Sequence, residues 1–195
     1  MATTEQVKKL RDETGVSIMQ CKKALEEAKD DMEKAKIILQ KKGGDIAAKK
    51  SDRTLGSGSI ACYIHANGSV GAMLELSCET DFVSGNDEFK TLARDLAMQV
   101  TASNPEFVKK EDITAEARAK VAEVFAAEVV SKPEAMREKI LQGKLDAYFA
   151  DKILMEQEYI KNPDLKIRNL IESAVQKFGE KIEIARFARF SVLGK

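Results

Sequence analysis

Residues 70–83, VGAMLELSCETDFV, decide how the chain is read. Val70, Ala72, Leu74 and Leu76 fall on every second position, the period of a strand with one buried face. Downstream, Asn86 or Asp87 is placed to cap a helix that carries Phe89, Leu92, Leu96 and Val100 at helical spacing. Cys78-Glu79-Thr80-Asp81-Phe82-Val83 therefore sits at a strand-to-helix corner. Asp81 suits such a corner. Phe82 does not, because a large aromatic at an exposed turn forgoes burial worth roughly 1.5–3 kcal/mol. Two readings follow: Phe82 folds back and extends the core face of the strand, or it is an anchor offered to a partner's pocket.

Together with the residues upstream of it, this strand reads as a hairpin from Ile60 to Cys78 around Asn67-Gly68. A two-residue turn would set Ile60, Cys62 and Ile64 opposite the odd-numbered Ser69, Gly71 and Met73, scattering apolar groups over both faces. A three-residue loop, Ala66-Asn67-Gly68, pairs Ile64 with Val70, Cys62 with Ala72 and Ile60 with Leu74. That register makes one face continuously apolar, and it is the one expected. Residues 51–59 (SDRTLGSGS) have a linker's composition.

Residues 1–50 read as three short helices. Val7 and Leu10 mark the first, which stops at Thr14-Gly15; Ser17 followed by Gln20 opens the second, with Met19, Ala24, Leu25 and Ala28 inward. Asp30 followed by Glu33 opens the third, with Met32, Ala35 and Leu39 inward and Gly43-Gly44 as its stop. Helices this short are marginal alone and must pack on one another.

Beyond the corner helix, which Asn104-Pro105 ends, a second long helix follows Thr114 and a third begins at Pro133. Asn162-Pro163-Asp164 introduces a further helix that Gly179 ends. Ile182 to Leu193 then reads as a strand whose apolar phase slips near Ala185-Arg186, the sign of a bulge. The fold expected is α+β: a three-helix bundle over 1–50, a linker over 51–59, and over 60–195 a three-stranded antiparallel sheet with helices packed on it. Those helices suffice to cover one face. Phe190 and Val192 fall on one phase of the last strand and Phe187 and Leu193 on the other, so the second face is expected to be apolar and to mark an interface. The alternative is that residues 146–161 fold across it.

Composition narrows the function. Lys+Arg and Asp+Glu are equal at 32 each among 195 residues, which argues against a general binder of nucleic acid or anionic membrane. Residues 1–55 hold 13 Lys/Arg against 10 Asp/Glu, too little for a basic stripe. No apolar run approaches the roughly 18 residues of a membrane span, and neither a signal-peptide core nor a transit-peptide composition follows Met1. A soluble, cytoplasmic protein is expected. The cysteines are Cys21, Cys62 and Cys78, without a CxxC pair, and His65 is the single histidine. Neither a zinc site nor a Cys–His pair has support, and buried thiols are expected.

Three separated stretches carry a resemblance that spans the chain. CETDFVSGNDEF (78–89) resembles a signature of the elongation factor Ts family, VKKLRDETGVSIMQCKKALEEA (7–28) resembles its other signature, and YIKNPD (159–164) with RFARFSV (186–192) also fits its pattern. Ser17 and Gln20 depart from it, standing where the family has glycine and an acidic residue. The resemblance implies a ubiquitin-associated-like fold for the three-helix bundle and the family's short form, with one core module. It implies a guanine-nucleotide exchange factor that binds elongation factor Tu, both GDP-bound and nucleotide-free, and promotes GDP release during translation elongation. It implies no covalent chemistry, no cofactor or metal of the chain's own, and no direct contact with nucleic acid or membrane. The partner-binding residues it implies are Thr80, Asp81, Phe82 and Val83 at the corner, with Arg11, Ile18, Met19, Cys21 and Lys22 at the junction of the first two helices. Short members pair their sheets face to face, which implies a homodimer here. The rival reading is a three-helix adaptor that shelters a partner without exchanging nucleotide.

Overall fold

The computed structural model describes residues 2–130, 133–192 and 194. Its architecture is α+β, a set of helices with a three-stranded antiparallel sheet. The amino-terminal helices are α1 (Thr4–Thr14), α2 (Ile18–Glu27) and α3 (Met32–Lys49). They bury Val7, Leu10, Val16, Cys21, Ala24, Leu25, Ala28, Ala35 and Leu39 in one small core. Thr3 and Ser17 each accept a backbone N–H three residues on, satisfying amides that a helix start leaves unpaired. The third cap is Asp31 rather than the expected Asp30, which sits with Lys29 in a left-handed turn (φ 66° and 53°). Met19, expected inward, lies on the outer face of α2.

Gly43 and Gly44 do not stop α3. Both lie inside it, against α8 (Ile167–Phe178). A Cβ built on Gly43 would stand 3.2 Å from the Gln176 side chain and 3.4 Å from the Glu172 carbonyl oxygen. The glycines are therefore where two helices approach closely, and that packing outweighs their weak helix propensity. The Gln176 amide donates to Gln20 Oε1 at 2.8 Å, tying α2 to the same helix. The chain after α3 is also held: Lys50 Nζ donates to the Gly179 carbonyl, and Lys181 Nζ donates to those of Ser51 and Arg53.

Strand β1 (Ser57–Ile64) opens inside the stretch expected as linker and pairs antiparallel with β2 (Val70–Cys78). Strand β5 (Ile182–Ser191) pairs with the other edge of β2, giving the order β1-β2-β5. The bulge expected near Ala185 is present, since Glu75 faces Arg186 while Leu76 faces Ile184. The hairpin register is the one the sequence reading set aside: Ile64 faces Gly71, Cys62 faces Met73 and Ile60 faces Glu75. The turn explains why. Gly68 adopts φ 68° and donates to the His65 carbonyl, while the Asn67 carboxamide takes the Ser69 N–H, closing the hairpin on a His65–Val70 bond. Ala61 and Tyr63 thereby join Ala72 and Leu74 on the inner face.

That inner face is covered by α5 (Asp87–Ser103) and α8, through Phe89, Ala93, Leu96, Ala97, Val100, Ile167, Ile171 and Val175. Between β2 and α5 lies α4 (Asp81–Ser84), a single helical turn. Helices α6 (Ala115–Val129) and α7 (Glu134–Ala150) pack on each other over a satellite core of Leu145, Phe149 and Ile153, with Phe107 and Phe125 beside it. Pro133 precedes α7 as its cap. The residues that follow do not cross the outer sheet face. Glu158–Tyr159 (β3) and Asn162–Lys166 (β4) form a small ladder, so Asn162-Pro163-Asp164 is a strand rather than the helix start. The buried Gln99 carboxamide holds that ladder, donating to the Glu158 carbonyl and accepting from Ile160 N. The outer face accordingly exposes Ile60, Ile64, Met73, Phe190 and Val192. Leu193, expected on the last strand, lies outside the described residues. Among those described, no helix is long and apolar enough to cross a membrane.

The α3–α8 approach predicts a size limit at position 43. Gly43→Leu must force the helices apart and should cost about 1–3 kcal/mol in urea unfolding. Gly43→Ala trades a tight contact against roughly 1 kcal/mol of helix propensity and should unfold near the wild-type midpoint. A Gly43→Leu protein as stable as the wild type would show that the approach does not constrain the side chain.

Candidate partner interface

The corner is built from the end of β2 outward. Leu74, Leu76 and Cys78 are fully buried, so the strand is fixed on the core up to its last residue. The Cys78 thiol donates to the Thr80 carbonyl at 3.2 Å, and burial pushes its pKa above the ordinary thiol value. This is a packed cysteine with no feature of a nucleophile. Cys21 is similar: fully buried, it donates to the Val16 carbonyl at 3.5 Å, and burial raises its pKa too. Cys62 does not match the expectation of buried thiols, because the observed register turns it to the outer face. All three are free thiols.

From Thr80 the chain makes the turn of α4. Ser84 N and Gly85 N donate to the carbonyls of Thr80 and Asp81, at 3.2 and 2.8 Å. Val83 points inward and joins the main core. Asp81 and Phe82 point outward, and Phe82 is 87% exposed. The alternative in which Phe82 extends the core face fails, and the reason is geometric. A helical turn places Val83, not Phe82, over the buried face of β2.

The turn is clamped from outside its own sequence. Glu180, in the connection between α8 and β5, accepts from Glu79 N at 3.1 Å and Thr80 N at 3.0 Å through Oε2. Its Oε1 accepts the Thr80 hydroxyl at 2.5 Å. In return Glu79 Oε1 accepts Lys181 N at 2.6 Å, and Arg53 Nη1 lies 3.2 Å from both Glu79 oxygens. The Lys181 amide above all, with the Arg53 guanidinium, holds the Glu79 carboxyl below its ordinary pKa. Sequence reading missed Glu180 and Glu79 as functional candidates. Glu180 lies a hundred positions away and leaves no local signal in the corner, and Glu79 stands in the corner but its partners, Lys181 N and Arg53, do not.

At the α1–α2 junction, Arg11, Ile18, Met19 and Lys22 are all exposed, with Ile18 at 56% and Met19 at 68%. Two adjacent apolar side chains at the start of a helix form a second small apolar surface. Lys22 makes a 3.9 Å ion pair with Glu26, an exposed pair that contributes little to stability. Cys21 and Val83 stand apart from the other expected contact residues: each lies beneath its surface and supports it from within. Thr80 is half-buried, its hydroxyl engaged by Glu180. Among the described residues, no group of three or more His, Cys, Asp or Glu is arranged to hold a metal ion.

Comparison with known proteins gives this geometry a family. The family pattern described as Elongation factor TS matches residues 2–194. A relative named Elongation factor Ts from Carboxydothermus hydrogenoformans is 45% identical over 194 residues, covering 98% of this chain and 89% of the relative. Its namesake from Thermotoga petrophila is 49% identical over 186 residues, with 95% and 94% covered. A third, from Thermodesulfovibrio yellowstonii, is 47% identical over 191 residues, with 97% and 96% covered. With agreement from end to end at this level, the chain belongs to the elongation factor Ts family.

Proposed function

We propose that the chain is a cytoplasmic guanine-nucleotide exchange factor that binds elongation factor Tu and accelerates its loss of GDP during translation elongation. The observation that carries this reading is Phe82, a large apolar side chain 87% exposed on a turn whose backbone is clamped. Such an arrangement fits an anchor that enters a pocket on another protein. Asp81, exposed beside it, is available to hydrogen-bond across the interface.

The thermodynamics are those of linkage. A factor that binds the nucleotide-free GTPase more tightly than its GDP complex lowers the GTPase's affinity for GDP by the same factor. Phe82 wedged between two helices of the GTPase would shift the groups that hold the phosphates and the partner's own Mg²⁺. Backbone N–H groups and the metal do that holding, so small displacements weaken it. Burying one Phe supplies about 1.5–3 kcal/mol, too little alone for a tightly held nucleotide. Ile18 and Met19, with Arg11 and Lys22 beside them, form the second contact. Cys21 and Val83 act from beneath, and nothing in this mechanism requires a bond to be made or broken by this chain.

Phe82→Ala tests the reading. Its far-ultraviolet circular dichroism and melting temperature should stay near wild type, within about 0.5 kcal/mol for a surface position. Release of a fluorescent GDP from elongation factor Tu should slow by about 10- to 100-fold in kcat/KM, the worth of one buried Phe. An unchanged release rate would remove Phe82 from the mechanism, whereas wild-type protein that binds without accelerating release would favour the sheltering adaptor.

The outer sheet face supports a second element of the proposal, a homodimer through the sheet. Ile60, Ile64, Met73, Phe190 and Val192 are exposed together on it, Phe190 at 73%. Cys62 lies among them, and the Glu75–Arg186 ion pair marks the polar end. A solvated face would alternate in polar residues, whereas an apolar one is characteristic of an interface. Sedimentation equilibrium at micromolar concentration should return twice the mass of one chain, and Phe190→Asp should return the mass of one. A concentration-independent single-chain mass for the wild type would exclude the dimer.

A further inference from the structure

We propose that Glu180 is a positioning residue for the Phe82 turn, an inference that rests on the reading of Phe82 given above. Strand β2 ends its ladder at Cys78, so the N–H groups of Glu79 and Thr80 lie beyond any strand partner. One carboxylate, brought by the turn between α8 and β5, accepts both of them and the Thr80 hydroxyl as well. Bonds to an ionised acceptor are stronger than neutral ones. All three of Glu180's contacts fall on the two residues that lead into α4.

The behaviour of Thr80 is the telling detail. It occupies the N-cap position of α4, where a threonine hydroxyl ordinarily accepts an amide of its own helix. Here no such bond is made. The hydroxyl is turned away and donates to Glu180 instead. A four-residue helix without its own cap has no independent stability, so its orientation is set by the groups that grip its entry, by Val83 beneath it and, at its last residue, by Ser84 Oγ 2.8 Å from Ser57 Oγ of β1. Glu79 completes the grip by accepting Lys181 N, so the two segments hold each other reciprocally. With the entry fixed, Phe82 stays directed outward and loses little conformational freedom when it meets a partner, which is the benefit of preorganisation.

A double-mutant cycle on release of fluorescent GDP from elongation factor Tu tests this, using the full chain. Phe82→Ala alone establishes the reference loss. Glu180→Ala should lower kcat/KM by about tenfold or more, as expected for losing hydrogen bonds to a charged group. Glu180→Gln, which keeps one acceptor oxygen, should fall between it and the wild type. In the Phe82→Ala background, Glu180→Ala should add no further loss, because its effect passes through Phe82. Amide hydrogen exchange should accelerate at Glu79 and Thr80 in Glu180→Ala while the sheet stays protected. Equal losses in both backgrounds would mark Glu180 as merely structural and overturn the proposal. So would normal release by Glu180→Ala when Phe82→Ala is slow. If Phe82→Ala itself releases GDP normally, the reading of Phe82 fails and the proposal fails with it. Should Glu180→Ala not fold, the same cycle with Glu180→Gln decides between these outcomes.

Discussion

Burial of the inner face of β2 is the constraint from which the rest of the structure follows. Leu74 and Leu76 are completely covered, each removing apolar surface worth about 1.5–3 kcal/mol from water. Helices α5 and α8 supply most of the cover for that face, with Val83 of α4 and Leu154 beside them. Because β2 lies between β1 and β5, its position fixes both neighbours. The strand cannot slide by one residue without turning Ala72, Leu74 and Leu76 to the outside.

The two ends of β2 face different physical problems. At its start the hairpin closes by local chemistry: Gly68 in the left-handed region and an Asn67 side chain that accepts the Ser69 N–H. At its end no local solution exists, since neither Thr80 nor its neighbours cap the turn that follows. The remote Glu180 carboxylate accepts the Glu79 and Thr80 amides instead, and Glu79 in return accepts Lys181 N. A turn closed by remote groups is defined by the tertiary fold, and that is where an outward aromatic can be held without a core of its own.

Much of this was legible in the sequence. Period-two alternation identified the strands of the three-stranded sheet, Ser17, Asn86 and Thr114 announced the helix starts, and the slipped phase after Ile184 announced the bulge. What escaped notice depended on contacts across the fold. Gly43-Gly44 reads as a stop until α8 is seen against it, because a local rule for glycine cannot register a neighbouring helix. The hairpin register was misjudged by assuming that a single face collects the apolar groups. Two apolar faces exist, and the observed pairing serves both. Likewise Asn162-Pro163-Asp164 carries turn residues suited to a helix entry, but the Gln99 carboxamide draws the chain into a ladder first. At the candidate site, Phe82 was visible as an anomaly in an exposed turn. Cys21 was legible as a buried thiol and is one, whereas Val83 was not visible as buried, since a motif marks which residues matter but not whether they face in or out.

The continuation of α3 through its glycines also bears on how the two exposed apolar surfaces would act together on the proposed reading. If the helices carrying Ile18 and Met19 hung on a flexible tether, a partner gripping Phe82 would meet them at an effective concentration set by tether length, and would have to restrain them on binding. Instead, α3 lies against α8, Gln20 is bonded to Gln176, and Lys50 and Lys181 fasten the chain beyond α3. The separation of the two surfaces is then a property of the folded state, like the span of a caliper. A partner whose own two sites are spaced to match meets both at once, while one whose sites are closer or farther apart is limited to a single contact. Selectivity of this kind resides in a distance, and it is maintained by two residues that have no side chains.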